Sequence, residues 1–289
     1  MKRMYILLLA GSVLSCTQPA TAQEFKTHVS KEFTPQKAAS ATVLAIYNIF
    51  GSIKVEAYAG DKVIMEIDQK ISAKSNAIME EGKKEFRLEF EQKADTITAY
   101  IAEPYDSRPH RNWRGWDERR KRIEYKYGLE FTVKVPINMN LDISTVNDGN
   151  IVVKDVAGSL RVHNVNGGIT VLNAKNGVMD IHTINGDVTV NHLGIPLSES
   201  SYYTLNGRLE VTYPANLSAD LQFKSMNGSF YTDFPDAEVL SGKVTKTQEK
   251  KANGTVYKLN KNSEVRIGNG GKTFKFETLN GNIYIKKQS

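Results

Sequence analysis

One short phrase recurs along this chain and limits what it can fold into: Asn-Gly, a free residue, then apolar residues at alternate positions. It reads Asp148-Gly149-Asn150-Ile151-Val152-Val153, Asn166-Gly167-Gly168-Ile169-Thr170-Val171, Asn185-Gly186-Asp187-Val188-Thr189-Val190, Asn206-Gly207-Arg208-Leu209-Glu210-Val211 and Asn227-Gly228-Ser229-Phe230-Tyr231-Thr232. It returns as Asn280-Gly281-Asn282-Ile283-Tyr284-Ile285. The first five glycines follow one another at 18, 19, 21 and 21 residues. A fixed period near twenty is the mark of a repeat architecture and outranks local propensity.

Alternation after each glycine predicts a strand with one face buried and one wet. Weaker copies midway, Gly158-Ser159-Leu160-Arg161-Val162 and Gly177-Val178-Met179-Asp180-Ile181, put about two short strands and two tight turns in each period. A near-constant period favours strands that wind and stack in parallel over separate hairpins. The expectation is an all-β chain, a β-solenoid or β-helix-like stack of about 19–21-residue coils, with an irregular β N-terminal part. Asn-Gly supplies the turn, because Gly accepts positive φ and Asn tolerates it. The asparagine column reads as a polar binding track or as a ladder of stacked amides, and turn chemistry alone explains the residue choice.

Lys2-Arg3 and the apolar run Met4 to Leu14 form a secretory signal, too short to span a bilayer. Two processing readings stand. Ala20-Thr21-Ala22 before Gln23 suits ordinary cleavage, and Val13-Leu14-Ser15-Cys16 resembles a lipobox that would leave Cys16 acylated as an anchor. Either way the protein is exported to the periplasm or cell surface. Cys16 is the only cysteine, so no disulfide is expected, and a mature chain of roughly 265 residues can do without one. Without residues 1–22 there are 36 basic and 32 acidic residues, a net charge of +4. An exported, mildly basic protein fits anionic envelope polymers or lipid headgroups and not nucleic acid.

The predicted organisation is a signal peptide over 1–22, a lead-in over 23–40, an N-terminal β part over 41–140 and a repeat part over 141–289. Phe50-Gly51-Ser52-Ile53-Lys54-Val55 is an early copy of the phrase with Phe in place of Asn. Longer alternating runs follow at 62–67, 86–90, 96–101 and 129–136, expected to cap the stack's open end. Residues 73–85 read as a short helix or loop. The Lys- and Asn-rich segment 236–262 reads as a hairpin with Lys243-Val244-Thr245 opposite Thr255-Val256-Tyr257, and Lys286-Lys287 as charges guarding a final edge strand.

Together the early Gly-Ser-Ile-x-Val coil, Val133-Lys134-Val135-Pro136, the regular Asn-Gly coils and the closing Arg266-Ile267-Gly268-Asn269-Gly270-Gly271 and Phe276 to Ile283 resemble the β-strand-repeat putative-adhesin family of bacterial envelope proteins of Bacteroidetes type. The resemblance spans essentially the whole mature chain. It implies a repetitive all-β fold and an exported location, and it carries no activity and no catalytic residues.

The repeat breaks at 103–122, where both tryptophans of the protein sit among arginines. Trp113 and Trp116 are candidate stacking residues for sugar rings or a partner, and Arg111, Arg114, Arg119, Arg120 and Arg122 candidate contacts for phosphates or carboxylates. The alternative is a solvated hairpin. His163 and His182 each precede a repeat Asn by three residues and should stack on adjacent coils, but the column continues as Tyr203 and Lys224, and two histidines rarely make a specific metal site. No nucleophile elbow, metal-protease helix or phosphate loop is present in the sequence. Asp180, Asp187 and Glu210 lie scattered on strand faces. The function these features support is a non-enzymatic binding, adhesin-like or structural module of the envelope, without catalytic, cofactor or metal residues. Its partners would be an envelope glycan, a lipid headgroup or a membrane or surface protein. A carbohydrate-active enzyme on a β-helix scaffold and an envelope-stress accessory binding a membrane partner are the alternatives.

Overall fold

Apolar residues at every second position, interrupted by Asn-Gly corners, fold into strands that take turns between two sheets. The computed structural model describes residues 23–109, 122–240 and 263–288, and the backbone alone of 245–251 and 254–260. The N-terminal part holds β1 (Gln23–Phe33), β2 (Val43–Tyr47), β3 (Ile53–Tyr58), β4 (Val63–Ala73), helix α1 (Asn76–Glu85), β5 (Arg87–Gln92), β6 (Thr96–Glu103) and β7 (Lys126–Pro136). The repeats supply β8 (Asn140–Ser144), β9 (Ile151–Lys154), β10 (Leu160–His163), β11 (Ile169–Ala174), β12 (Met179–Asn185), β13 (Val188–His192), β14 (Ser200–Asn206), β15 (Leu209–Tyr213), β16 (Ala219–Asn227) and β17 (Phe230–Thr232). After these come β18 (Glu238–Leu240), β19 (Thr245–Lys251), β20 (Gly254–Asn260), β21 (Ser263–Ile267), β22 (Lys272–Asn280) and β23 (Ile283–Lys287).

Ten strands form the first sheet, in the order β1-β4-β7-β3-β9-β11-β13-β15-β23-β17. Eleven form the second, in the order β18-β21-β16-β22-β14-β12-β10-β8-β2-β6-β5. The weaker mid-period copies are β10 and β12, in the second sheet. Both sheets are open and mixed: parallel in the repeats, antiparallel at β1-β4-β7, β5-β6 and β16-β21-β18. The all-β expectation holds. A uniform stack of coils in sequence order is not what the two sheets show.

The departure is in the order. Expectation placed the phrase at Asn227 directly on the one at Asn206. Instead β22 lies between β14 and β16, and β23 between β15 and β17, so the C-terminal segment is wedged into the repeats. The other end does the same, with β2 between β6 and β8 and β3 between β7 and β9. Lys286 and Lys287 therefore sit on an interior strand and do not guard an edge. The supposed lead-in also differs: residues 23–33 are an eleven-residue strand on the edge of the first sheet. The hairpin at 245–260 is present, but Thr255, Val256 and Tyr257 face Lys250, Glu249 and Gln248. Residues 76–85 are helical because Ser75 accepts the Ile78 N–H at the N-terminus while Lys83 and Lys84 complement the C-terminal dipole.

Register is kept by one apolar column, Ile53-Ile151-Ile169-Val188-Leu209-Ile283-Phe230, one residue per strand. From Ile53 to Ile283 its members are at most 1% exposed, each burial contributing roughly 1.5–3 kcal/mol. The corners set the spacing. A Cβ added at Gly149, Gly167, Gly207 or Gly228 would lie 2.2, 2.1, 2.1 or 1.8 Å from the carbonyl oxygen of the glycine stacked beneath. None of these four has a positive φ, so close backbone approach selects glycine here, not turn conformation as the sequence suggested.

Two residues before each corner Asn, a side chain clasps that same carbonyl, buried at every corner but the one before Asn227. Thr145 donates to the Gly51 oxygen at 2.9 Å, Asn164 to Gly149 at 3.0 Å, Thr183 to Gly167 at 2.8 Å and Thr204 to Gly186 at 2.8 Å. Thr278 and Ser225 reach Gly207 and Gly281 at 3.5 and 3.4 Å. A carbonyl buried between coils would otherwise lose its solvent partner.

The C-terminal half buries aromatic rings in stacks. Tyr202 lies on Phe276, Phe276 on Phe223, and His192 on Tyr213 with ring planes 3° apart. His192 is fully buried and its Nε2 pairs with the Tyr202 hydroxyl at 2.8 Å. Burial pushes its pKa down to about 3.

Two predictions follow from these contacts. In urea denaturation Gly207→Ala should cost more than about 2 kcal/mol, by forcing backbone apart, whereas Thr204→Val should cost roughly 1–3 kcal/mol, by orphaning the Gly186 carbonyl. His192 is neutral when folded and protonates in the unfolded chain near pH 6.5, so its contribution is complete above pH 6.5 and is lost as pH falls towards 3, at roughly 1.4 kcal/mol per pH unit. Thermal melts from pH 7 to 4 should be flatter for His192→Phe than for the parent; equal slopes would refute the assignment.

Candidate functional site

Side chains that leave the corners and the outer sheet faces are what a partner would meet. Along the corner edge the exposed asparagines form a directed ladder: Asn227 donates its amide N–H to Asn280, Asn280 to Asn206, Asn206 to Asn185, Asn185 to Asn166 and Asn166 to Asn147, at 2.7–2.8 Å. Every rung spends its oxygen or an N–H on its neighbours, as stacked amides do. Phe50 bridges to Asn147 at the end of the ladder and meets Tyr127 edge-on at 5.4 Å.

The chain passes from β6 in the second sheet to β7 in the first, as it does from β2 to β3. Trp113, Trp116, Arg111, Arg114, Arg119 and Arg120 lie outside the described residues. Arg122 is described and exposed, just ahead of β7. The outgoing stem is fixed. Ser107 Oγ donates to the Tyr47 carbonyl at 2.6 Å and accepts the Ile101 N–H at 2.9 Å. The Arg108 guanidinium lies 3.9 Å over the Tyr100 ring, held by Asp106 at 2.6 Å and Glu91 at 2.8 Å.

On the outer face of the second sheet His163 and His182 stand directly opposite each other, ring centroids 5.5 Å apart. Next to His182 stands Tyr203, with its ring centroid at 4.3 Å. The column then continues to Glu277 and only afterwards to Lys224, which pair with each other, because β22 intervenes. Burial, then the neighbouring His163, lowers the His182 pKa. Asp180 lies 3.5 Å from His163 and 3.6 Å from Arg161. Arg161, Asp180, Asp142 and Asn140 help line an adjacent cavity of about 470 Å³, whose charges are already paired among themselves. Among the described residues no group of three or more His, Cys, Asp or Glu side chains is placed to hold a metal ion.

The three scattered carboxylates do not converge. Asp180 projects from β12 in the second sheet, Glu210 from β15 in the first, where Arg208 and Lys286 hold it, and Asp187 accepts the Arg208 backbone N–H at a corner. Sequence reading missed a feature of the first sheet's terminal strands. Tyr231 and Tyr284 stack at 4.9 Å with planes 12° apart, and the Arg208 guanidinium caps Tyr284 at 4.3 Å. Because β17 is the last strand of its sheet, no further strand covers Tyr231, which is 48% exposed. The signal was present: only these two phrases carry tyrosine where the others carry Val152, Thr170, Thr189 and Glu210.

No protein-family model and no curated protein matches the chain. Among solved structures it is similar to a putative cell adhesion protein from Clostridium sporogenes, at 12% identity and a TM-score of 0.39, over 91% of this chain and 100% of that one. It is similar also to a putative adhesin from Bacteroides fragilis, at 11% identity and a TM-score of 0.31, over 91% and 97%. A third, a putative lipid binding protein from Parabacteroides distasonis, has 9% identity and a TM-score of 0.28 over the same shares.

Calorimetric titration of the mature protein with zinc should show no saturable binding at His163 and His182. A stoichiometric site lost in His163→Ala would overturn that reading.

Proposed function

We propose that this chain is an exported, non-enzymatic binding module of the cell envelope, and that the terminal layer of its two sheets is a contact surface for a protein partner. The observation that carries this reading is the concentration of exposed large apolar side chains there. Met226 on β16, Tyr231 on β17 and Val239 on β18 are 76%, 48% and 77% exposed. Exposed large apolar side chains gathered on the last strands of a fold are where a partner gains most by covering them. The Arg208–Tyr284–Tyr231 stack pre-orders the central ring, so little side-chain freedom is lost on binding.

The parallel pairing at steps of 18 to 21 residues supports the finer reading of residues 140–213 as successive turns of a flattened coil stack. Such a scaffold is stiff and displays side chains in fixed columns. Export rests on the N-terminal signal, and no helix among the described residues is long and apolar enough to cross a membrane. In the anchored form only residues 17–22 would separate Cys16 from β1, a reach of about 20 Å. Gln23 pairs with Ala73, and Ser72 with Lys126. The anchor and the start of β7 would therefore lie at one end of one sheet. Against the enzymatic alternative stands the dispersal of Asp180, Asp187 and Glu210.

Co-sedimentation of the mature protein with envelope fractions tests this. The parent should be retained, protease treatment of the fraction should release it, and Tyr231→Ala combined with Val239→Ser should lower retention at least tenfold while leaving the melting temperature within a few degrees. Retention indifferent to both, or time-dependent release of soluble saccharide, would sink the proposal.

A further inference from the structure

Gly128 has no structural reason to be glycine. It lies inside β7, whose pairing with β4 runs without a break from Lys126 to Lys134, so it marks no bulge. Its φ is not positive, and among the described residues a Cβ built on it would meet only the Phe50 carbonyl at 3.8 Å, an ordinary contact. Glycine within a strand weakens it, and where neither bulge nor bend requires it, it marks the close approach of a ligand or another backbone. Above Gly128, on the outer face of the first sheet, opens a cavity of about 500 Å³, within the roughly 300–1,000 Å³ of small-molecule sites.

The walls follow from register. One cross-strand row reads Lys26, Lys70, Gly128, and the next His28, Asp68, Glu130. The missing side chain at Gly128 makes the notch, and β3 does not reach its level, since pairing with β7 begins at Ile53 and Phe131. The charges are already compensated. Glu24 binds Lys70 and lies 3.4 Å from Lys26, His28 bridges Asp68 and Glu66 at 2.7 Å each, and Glu130 accepts the Ser52 N–H at 3.1 Å. A charged ligand would gain little from such a site. A neutral ring bearing several hydroxyls would gain more, because hydroxyls donate to carboxylate oxygens and accept from ammonium protons. Its apolar C–H face would lie on the bare backbone of Gly128, flanked by the aliphatic stems of Lys26 and Lys70.

We propose that the notch over Gly128, walled by Lys26, Lys70, Asp68, His28 and Glu130, is a binding site for a neutral saccharide unit of an envelope glycan. It rests on the reading of the chain as a binding module but lies at the opposite end of the first sheet from Tyr231, so each can fail alone.

The test uses the full mature protein, isotope-labelled, titrated with maltohexaose, cellohexaose and the hexamer of N-acetylglucosamine, followed at the Gly128 amide. At least one sugar should shift that resonance saturably. Gly128→Val should weaken it tenfold or more while holding or raising the melting temperature, since valine suits a strand and has room there. Asp68→Asn should weaken it without unfolding. Absence of any shift overturns the site, as does a saturable shift elsewhere that Gly128→Val leaves intact, although the latter keeps the binding-module reading. Displacement of the Gly128 signal by deletion of residues 110–121, without sugar, would show the notch filled by the chain itself and equally overturn the proposal.

Discussion

The contact between stacked corners is what the rest of this structure depends on. Each corner glycine lays its backbone against the carbonyl of the glycine below, closer than any Cβ would allow. The carbonyl so covered is recovered by a Thr or Asn hydrogen bond from inside the fold. Neither half works alone. Glycine without the clasp would strand a buried acceptor at a cost of about 1–3 kcal/mol, and the clasp without glycine could not reach. Spacing fixed at the corner then dictates register for the apolar column and for the exposed asparagine ladder.

Wedging of both chain ends has consequences for how the molecule holds together. The coil made by β2 and β3 receives β8 and β9 on one side and β6 and β7 on the other, about a hundred residues apart in the case of β3 and β9. At the opposite end β22 and β23 complete the layer on which β16 and β17 rest. Neither the β2–β3 pair nor the β22–β23 pair can detach without opening two strand interfaces, unlike the terminal repeat of an array stacked in sequence order; β1, on its edge, is held by a single neighbour. The same arrangement demands long-range pairing before the ends are secure, which predisposes such topologies to slow folding.

Much of this was legible in the sequence and some could not have been. Period and alternation gave the strands, since those signals are local, while 73–85 stood open between a short helix and a loop until the Ser75 cap was seen. The choice of glycine was visible but its cause was not: positive φ and close approach select the same residue, and only the stacked geometry separates them. Strand order was invisible for a sharper reason. Asn280-Gly281-Asn282-Ile283 fits onto Asn206 as well as Asn227-Gly228-Ser229-Phe230 would, and the buried rings Tyr202, Phe276 and Phe223 align in either order. Local pattern specifies which face is buried and not which copy lies next. The candidate insertion was located by composition, and that it links the second sheet to the first came only from the sheet assignment of β6 and β7.

Exceptions to the repeat are where binding can be sought, and the reason is geometric. Within the repeats every outward side chain is flanked on both sides by the same position of neighbouring strands, and each corner amide is spent on the next. Affinity needs groups that are ordered yet not consumed. Tyr231 meets that condition because its strand is the last one and its inner face alone is covered. Gly128 meets it by leaving a gap in a row whose other members are already held in place by Glu24, Glu66 and Ser52. Ser107 and Arg108 likewise clamp the chain where it leaves β6. Uniformity in the middle of the chain supplies the stiffness that lets the two departures at Tyr231 and Gly128 present fixed surfaces.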